Sequence, residues 1–348
     1  MKFEVNKENL KFMGLLVIAL FLIQGILTTV FALLDDKKEE ETANVEYEDK
    51  DKIPPYKFDA NAEDRSEGVS DNTPASGVED EQDPFEELDE LVGLESVKKE
   101  VRELANYVKV QQQRKEQGLK VPKLSYHLVF TGSPGTGKTT VARIVARIYR
   151  DLGILERGHL VETDRSGLIG QYVGQTAPLV NAMCDSALNG VLFIDEAYAL
   201  TQSGDQDYGK EAVATLLKRM EDDRDRLVVI VAGYTNEMKH FIETNPGLES
   251  RFTRYINFPD YTAEELYRIF RLYMKKNQYT ITKEAADYLQ KRLDYVVRNK
   301  DRNFGNARYA RNVFEKTIQC QANRLSSKSN PTPEELTEIT LADIKQAI

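Results

Sequence analysis

Cysteine and histidine are scarce in this sequence, and the few present are scattered. The 348 residues include two cysteines, Cys184 and Cys320, and three histidines. The cysteines lie far apart and outside a C-x-x-C spacing, and the histidines fall in separate segments, so neither a disulfide framework nor a zinc site is indicated. Long runs of lysine and arginine are also missing, which argues against a nucleic-acid-binding surface.

Acidic charge is unevenly distributed along the chain. The net charge is −10, yet residues 35–90 hold 22 Asp and Glu against 6 Lys and Arg, which leaves the remainder mildly basic. Residues 35–84 also contain few large apolar side chains, so they cannot bury enough surface to offset chain entropy. We therefore predict that residues 35–84 form a disordered acidic linker.

One uncharged, mostly apolar run precedes this linker. Residues 12–34 are interrupted only by Gln24, Thr28 and Thr29. About 23 residues at about 1.5 Å each span roughly 34 Å, enough for a hydrocarbon core of about 30 Å. A cleaved signal peptide is the alternative, because residues 30–32 loosely fit a cleavage site. We predict a retained transmembrane helix at residues 12–34, after a short N-terminal tail at residues 1–11.

Five short apolar runs follow, separated by stretches with helical periodicity. Alternating strands and helices with nearly continuous apolar strands indicate an α/β fold, in which a parallel sheet is flanked by helices on both faces. We assign residues 85–260 to this domain. The predicted strands are residues 126–131, 159–162, 191–194, 227–232 and 255–258, and predicted helices include residues 96–117, 139–152, 177–188 and 210–221.

The strand pattern stops after Pro259. Thr262 and Glu265 have the spacing of a capping box, which starts a helix. The rest of the sequence has helical periodicity, so residues 261–348 are predicted to form a small all-helical lid domain.

The strongest motif is a phosphate-binding loop. It matches G-x-x-x-x-G-K-[ST], follows a predicted strand and opens a predicted helix, which is the context that the motif requires. Backbone N–H groups of such a loop converge on phosphate oxygens, and the helix N terminus favours the anion. Lys138 is expected to reach the outer phosphates of ATP, and Thr139 to bind Mg²⁺. The predicted nucleotide-binding residues here are Gly132, Ser133, Pro134, Gly135, Thr136, Gly137, Lys138, Thr139 and Thr140.

A second motif consists of two acids after an apolar strand, Asp195 and Glu196. They are placed at the carboxyl edge of the sheet, where ligands bind in open α/β folds. Asp195 is expected to hold Mg²⁺, and Glu196 to orient and deprotonate the attacking water. Acids often end strands without any such role, so the motif depends on its pairing with the phosphate-binding loop.

From Pro84 to about Ser326, the sequence resembles the AAA+ P-loop NTPases of the CbbX (red-type Rubisco activase) and stage V sporulation protein K group. The strings that carry the resemblance are Leu91-Val-Gly-Leu94, GSPGTGKTTVAR, Gly170-Gln-Tyr-Val-Gly-Gln-Thr176, VLFIDEAYAL, VVIVAGYTNEM, NPGLESRF and Gly305-Asn-Ala-Arg308.

The resemblance implies roles for further residues. Arg251 and Arg254 match arginine fingers that reach the γ-phosphate bound by a neighbouring subunit, and Arg308 matches the sensor-2 arginine. Asn236 or Thr235 would be sensor 1, with Asn236 taken as the candidate. Val92 and Gly93 match the stretch that lines the adenine pocket. An ordinary surface ion pair remains the alternative for the two finger arginines.

The segment Tyr172-Val173-Gly174 matches the central-pore loop of the same group. An exposed tyrosine on a glycine-flanked loop can grip an extended polypeptide without recognising its sequence. The alternative is a tyrosine that packs against the lid or a neighbouring subunit.

We expect a membrane-anchored AAA+ ATPase that binds ATP and Mg²⁺, forms a homo-oligomeric ring, expected to be a hexamer, and remodels or disassembles a protein client through a central pore. An ATP-switched assembly or scaffold factor and a nucleic-acid motor are the alternatives, and no nucleic-acid partner is expected. Lysines flank both ends of residues 12–34, so charge gives no orientation. The need for ATP predicts that the ATPase domain faces the cytoplasm.

Overall fold

Apolar and β-branched residues place five strands at the centre of the described chain. The computed structural model describes residues 82–122, 125–201 and 208–348. All five strands pair in parallel in the order β2-β3-β4-β1-β5, which confirms the predicted parallel sheet. The strands are β1 (Leu128–Gly132), β2 (Leu160–Thr163), β3 (Gly190–Ile194), β4 (Leu227–Gly233) and β5 (Arg254–Phe258).

The sheet has a hydrophobic core on each face. In β1, Leu128 and Phe130 pack into one core cluster, whereas Val129 between them packs into the other. Successive side chains of a strand point to opposite faces, so a strand covered on both sides must be apolar throughout. Every residue of β1, β3 and β4 is buried, which explains the nearly continuous apolar runs in the sequence.

Helices connect the strands and cover both faces, as predicted. The bounds of the predicted helices agree with the observed ones within about two residues, the usual uncertainty of a helix end. The helices of this part are α1 (Pro84–Glu90), α2 (Glu95–Glu116), α3 (Lys138–Asp151), α4 (Arg165–Leu168), α5 (Thr176–Ser186), α6 (Tyr208–Asp222), α7 (Thr235–Glu243) and α8 (Pro246–Arg251), with a 3₁₀ helix at Ala197–Thr201.

The lid begins at the predicted capping box. The backbone N–H of Glu265 donates to Thr262 Oγ1 at 3.2 Å, and the N–H of Thr262 donates to Glu265 Oε2 at 2.7 Å. Phe270 and Phe314 meet at 5.7 Å between ring centroids, and their cluster is continuous with the core on one face of the sheet. The lid helices are α9 (Ala263–Lys276), α10 (Lys283–Arg298), α11 (Ala307–Leu325), α12 (Pro333–Thr337) and α13 (Leu341–Ala347).

The prediction that the lid is all-helical was wrong in one detail. Strands β6 (Thr280–Ile281) and β7 (Glu338–Ile339) pair in parallel within the lid. Each has only two residues, which is too short for the alternating pattern by which a strand is recognised in a sequence.

The N-terminal predictions lie mostly outside the described residues. These are the tail at residues 1–11, the transmembrane helix at residues 12–34 and the linker as far as residue 81. The linker was predicted one residue too long, because α1 begins at Pro84, where the Asp83 carboxylate accepts a hydrogen bond from the N–H of Phe85 at 2.8 Å. Among the helices of the described ranges, none is long and apolar enough to cross a membrane.

Candidate functional site

The carboxyl edge of the sheet brings the two predicted motifs together. The phosphate-binding loop follows β1, and Asp195 and Glu196 follow β3. Strand β4 lies between β1 and β3. Neighbouring strands are about 4.8 Å apart, so the loop and the two acids are separated by roughly 10 Å. That distance is suited to a bound triphosphate between them.

The conformation of the loop depends on its glycines. Gly135 and Gly137 have φ of 67° and 93°, in the left-handed region that glycine adopts most easily. A Cβ atom on Gly135 would also lie 2.2 Å from the carbonyl oxygen of Gly305. Both the backbone angle and the close approach of the lid therefore require glycine at position 135.

Lys138 begins α3 and folds back over the loop. Its ammonium group donates to the carbonyl oxygens of Gly132 and Ser133 at 3.0 and 2.9 Å. Burial lowers the pKa of Lys138, and the neighbouring Asp195 opposes this effect. The acid after β3 and the lysine after β1 thus interact electrostatically, as a shared phosphate and metal site requires.

The two acids after β3 have different environments. The N–H of Asp195 donates to the carbonyl oxygen of Thr163 at 2.9 Å, which fixes it to the end of β2. Glu196 is exposed, has φ of 47°, and donates its N–H to Asp195 Oδ1 at 3.0 Å. Asp195 is held close to the sheet, whereas the Glu196 carboxylate is free to approach a water molecule.

Thr139 and Asp195 supply the oxygen donors that suit Mg²⁺. Thr139 is half-buried in the first turn of α3. A hydroxyl and one carboxylate are the usual protein share of such a site, because the substrate phosphates and water complete the coordination. The next residue, Thr140, is exposed on the same turn.

The predicted adenine-binding segment lies beside the start of α3. Val92 is buried, and a Cβ atom on Gly137 would lie 3.5 Å from the Leu94 side chain. Gly93 has φ of 64°, and a Cβ there would meet the Glu265 carboxylate at 2.1 Å. The structure therefore places this segment between the phosphate-binding loop and the lid.

Arg308 lies in the first turn of α11 and faces the same region. Its charge lowers the pKa of Lys138, which places it within electrostatic range of the loop. The adjacent Ala307 donates its N–H to the carbonyl oxygen of Gly135 at 3.0 Å. The start of α11 is thus bonded directly to the phosphate-binding loop.

The candidates for sensor 1 lie after β4. Thr235 and Asn236 form the first turn of α7, and both are exposed. Asn236 lines a surface cleft with Tyr198. Tyr234, which the sequence interpretation passed over, directly follows β4, and its ring lies 6.1 Å from that of Tyr198.

The finger candidates are not near the loop of their own chain. Arg254 is the first residue of β5 and pairs with Leu128, whereas Phe258 pairs with Gly132. Four residues at about 3.3 Å each place Arg254 roughly 13 Å from the carboxyl edge. Its guanidinium lies over the Tyr107 ring at 4.9 Å.

Arg251 ends α8, and two residues separate it from Arg254, where β5 begins. It forms an ion pair with Glu221 at 3.4 Å and donates to the carbonyl oxygen of Gly247 at 3.3 Å. The structure therefore places neither finger candidate with Lys138, Asp195 and Glu196.

The predicted pore loop is a projecting turn between α4 and α5. Tyr172 and Val173 are 69% and 85% exposed, and, its chain neighbours aside, no described residue has an atom within 4 Å of a Cβ built on Gly174. The base of the turn is fixed, because Gly170 donates its N–H to the buried Thr176 hydroxyl at 3.2 Å. A hydrogen-bonded base thus presents two apolar side chains to solvent, and in the described chain Tyr172 is exposed rather than packed against the lid.

Two further residues join the site, although the sequence motifs gave neither of them a role. Asp260 follows β5, where the pKa of its carboxyl is raised by burial but lowered on balance by hydrogen bonds from Lys300, Ser133 and Asn306. Asn306 is fully buried beside it. Asn306 lies inside the string Gly305-Asn-Ala-Arg308, so its position was indicated, but nothing in the sequence showed its contacts.

These features define a P-loop ATPase with a helical lid, and comparisons with known proteins agree. The family model "ATPase family associated with various cellular activities (AAA)" matches residues 128–260, and the AAA lid domain model matches residues 262–348. The AAA domain of FIGL-1 in complex with ADP shares the fold, with a TM-score of 0.52 and 19% identity over 74% of this chain and 82% of that one.

Three relatives have higher sequence similarity. Stage V sporulation protein K of Bacillus subtilis is 44% identical, over 69% of this chain and 74% of its own. The chloroplastic ribulose bisphosphate carboxylase/oxygenase activase of Cyanidioschyzon merolae is 45% identical, over 70% and 83%. The ESX-3 secretion system protein EccA3 of Mycolicibacterium smegmatis is 45% identical over 75% of this chain, which spans less than half (45%) of that relative.

The chain belongs to the AAA family and is an AAA+ ATPase, an enzyme that binds and hydrolyses ATP.

Proposed function

We propose that this chain acts as a homo-oligomeric ring, a hexamer by family precedent, that uses ATP hydrolysis to remodel or disassemble a protein client through a central pore. The observation that carries the proposal is the division of the site. Lys138, Asp195 and Glu196 lie at the carboxyl edge of the sheet, whereas Arg251 and Arg254 lie toward the opposite edge. One chain therefore offers the two halves of a shared active site on different surfaces.

The arginines are suited to acting on a neighbouring subunit. Arg254 is roughly 13 Å along β5 from the edge that holds its own loop, farther than an arginine side chain extends. A guanidinium can neutralise charge that develops on the γ-phosphate in the transition state. Within its own subunit, the Arg251 guanidinium contacts Gly247 and Glu221 at 3.3 and 3.4 Å, and an incoming nucleotide can replace these contacts.

Within one subunit, each residue of the site has a distinct proposed task. Lys138 binds the outer phosphates, and Glu196 orients the water and takes its proton. Thr139 and Asp195 would hold Mg²⁺, which neutralises phosphate charge when bound. Arg308 would contact the phosphates from the lid, and Asn236 or Thr235 would contribute as sensor 1. Val92 and Gly93 would line the adenine pocket.

The projecting turn of Tyr172 and Val173 supports a polypeptide client. These are the two most exposed large apolar side chains in the described chain. Solvent exposure of adjacent apolar residues on a rigid turn is typical of a binding surface. In a ring, such turns from several subunits would converge on one pore and grip an extended chain.

The relatives have names that refer to different processes, namely sporulation, Rubisco activation and ESX-3 secretion. We propose that a protein client is common to them, and we assign none of those clients to this chain. We also propose that residues 12–34 anchor the ring in a membrane, with the ATPase domain in the cytoplasm.

The test measures ATP turnover per subunit as the concentration of the full chain in detergent is raised. We expect a steep rise, because assembly completes the site. Mixing in Arg251→Ala chains, which assemble but supply no finger, should reduce turnover by more than their share of subunits. Lys218→Ala is a matched control, since this exposed basic side chain lies on α6, the helix that also carries Glu221, the partner of Arg251.

A flat rate per subunit, together with harmless Arg251→Ala chains, would show a monomeric P-loop switch and remove the ring mechanism. A concentration-dependent rate that no unfolded polypeptide stimulates would favour the ATP-switched assembly factor instead.

A further inference from the structure

The loop between α10 and α11 attaches the lid to the strand ends of the ATPase domain. Lys300 forms an ion pair with Asp260, which follows β5. Arg302 forms an ion pair with Glu237 in α7, which follows β4. We call residues 299–306 the lid clip, because it bridges two strand ends of the sheet and, at its last residue, the phosphate-binding loop.

That last residue is Asn306, which is fully buried. Its Nδ2 donates to the carbonyl oxygen of Pro134 at 3.2 Å and to Asp260 Oδ1 at 3.0 Å. Its Oδ1 accepts from the N–H of Tyr261 at 3.0 Å. A buried amide with partners on two other segments, the phosphate-binding loop and the stretch after β5, is expensive to replace, since each abandoned partner loses a hydrogen bond away from water.

The backbone of Asn306 is strained, with φ of 46° and ψ of −118°. Such angles cost of order 1–3 kcal/mol for a residue other than glycine. Glycine would relax this backbone, so what asparagine adds at this position is the set of side-chain contacts.

The lid holds two successive carbonyl groups of the phosphate-binding loop. Pro134 O accepts from Asn306, and Gly135 O accepts from the N–H of Ala307 at 3.0 Å. In a trans peptide the N–H points opposite to the C=O. Fixing these carbonyls toward the lid therefore directs the N–H groups of Gly135 and Thr136 to the opposite side, away from the lid clip.

We propose that Asn306 is a positioning residue that sets the orientation of the Pro134–Gly135 peptide for phosphate binding, so that nucleotide affinity depends on the position of the lid. The inference rests on the nucleotide-binding site assigned above to the loop that ends in Lys138. A lid that moves takes Asn306 and Ala307 with it, which releases both carbonyls and loosens the array of N–H donors. Lid movement is thereby coupled to release of ADP.

The test uses the full chain with Asn306→Gly, a change that removes the amide and suits the strained backbone. We expect the KM for ATP and the ADP dissociation rate to rise about tenfold, the equivalent of one hydrogen bond. The kcat should stay within about twofold, because a donor array that binds ground state and transition state alike changes KM alone. Asn303→Gly, an exposed position in the same loop, is the matched control.

Further variants separate a positioning role from a merely structural one. Asn306→Asp should also raise KM, because the new carboxylate has no N–H to donate to the Pro134 carbonyl or to the Asp260 carboxylate. Adding Asp260→Asn restores one bond between lid and β5 but leaves Pro134 O without its donor. We therefore expect the double variant to regain thermal stability while its KM stays high.

The proposal is overturned if Asn306→Gly matches Asn303→Gly in KM and ADP release, or if the double variant recovers both stability and KM. Lys138→Ala tests the nucleotide-binding site itself. If Lys138→Ala binds ATP as the native chain does, the assigned nucleotide-binding site is wrong. If Lys138→Ala abolishes binding while Asn306→Gly has no effect, only the proposed role of Asn306 is wrong.

Discussion

At the scale of single residues, Glu196 has the most informative backbone. Its φ of 47° lies in the left-handed region, and it belongs to a small group of non-glycine residues in the described chain that do so. The glutamate side chain is longer than those of asparagine and aspartate, whose short polar groups bond locally and favour such angles, and the strain costs of order 1–3 kcal/mol. The angle turns Glu196 away from the course of β3 while Asp195 stays bonded to the sheet. The sequence predicted both acids, but only the structure shows how adjacent residues are given different directions.

His127 is a second residue whose environment has a measurable consequence. It is buried, and its Nδ1 accepts the N–H of Val229 at 3.0 Å. Burial lowers the pKa of His127 to about 4. The unfolded chain, with an ordinary histidine pKa of about 6.5, binds more protons between these two values, so the native state loses stability as the pH falls through that window.

We predict that His127→Asn makes the free energy of unfolding less sensitive to pH. Asparagine can still accept the Val229 N–H but takes up no proton. Relative to pH 7.5, the native chain should lose about 2 kcal/mol more than the variant at pH 5. Denaturant unfolding at the two pH values measures this. The exposed His240→Asn is the control, and equal pH sensitivity of native chain and His127→Asn would contradict the assignment.

At the scale of elements, the sequence predicted the strands and helices that are long enough to show a recognisable pattern of apolar residues. The five strands of the central sheet and the helices between them were recognised because buried strands require uninterrupted apolar residues and helices require a period of 3.6. The pair β6 and β7 was missed, since Thr280–Ile281 and Glu338–Ile339 are too short to show any period. Motifs likewise predicted Lys138 and Asp195, whose proposed roles rest on their own chemistry. They did not identify Asp260, whose importance comes from contacts with residues distant in the sequence.

The turn between α4 and α5 is an element whose contribution can be isolated. We predict that Tyr172→Ala leaves basal ATP turnover within about twofold, because an exposed side chain remote from the buried core contributes little to folding or chemistry. Stimulation of turnover by a permanently unfolded polypeptide should be lost. Tyr172→Phe, which keeps the ring, should retain it. If Tyr172→Ala is stimulated as strongly as the native chain, the turn does not grip the client.

At the scale of the whole molecule, the two edges of the sheet bear on the proposed cooperation between subunits. A single chain holds its nucleotide-binding site at one edge and its candidate fingers toward the other, so in the proposed ring hydrolysis would depend on a neighbour. Residue chemistry alone left Arg251 indistinguishable from a surface ion pair, and within one chain it does form one, with Glu221 at 3.4 Å. Only the resemblance to the AAA+ group suggested a role in a neighbouring subunit, and the topology of the sheet supports that proposed role.

The N-terminal apolar run gives the last prediction at this scale. Residues 12–34 carry no charged side chain, and burying such a run in hydrocarbon is strongly favourable. We predict that the full chain remains with membranes after washing with high salt and with alkaline carbonate, whereas a chain lacking residues 12–34 is released. An unrelated apolar span of equal length should restore retention.

Intact mass of the membrane-bound protein tests the signal-peptide alternative, because cleavage near residues 30–32 would remove the N-terminal residues. A full mass with carbonate resistance supports an anchor that holds the subunits on one surface, where their higher local concentration favours ring assembly at low expression. Release by salt alone would instead mean that the run does not span the bilayer and that assembly depends on bulk concentration.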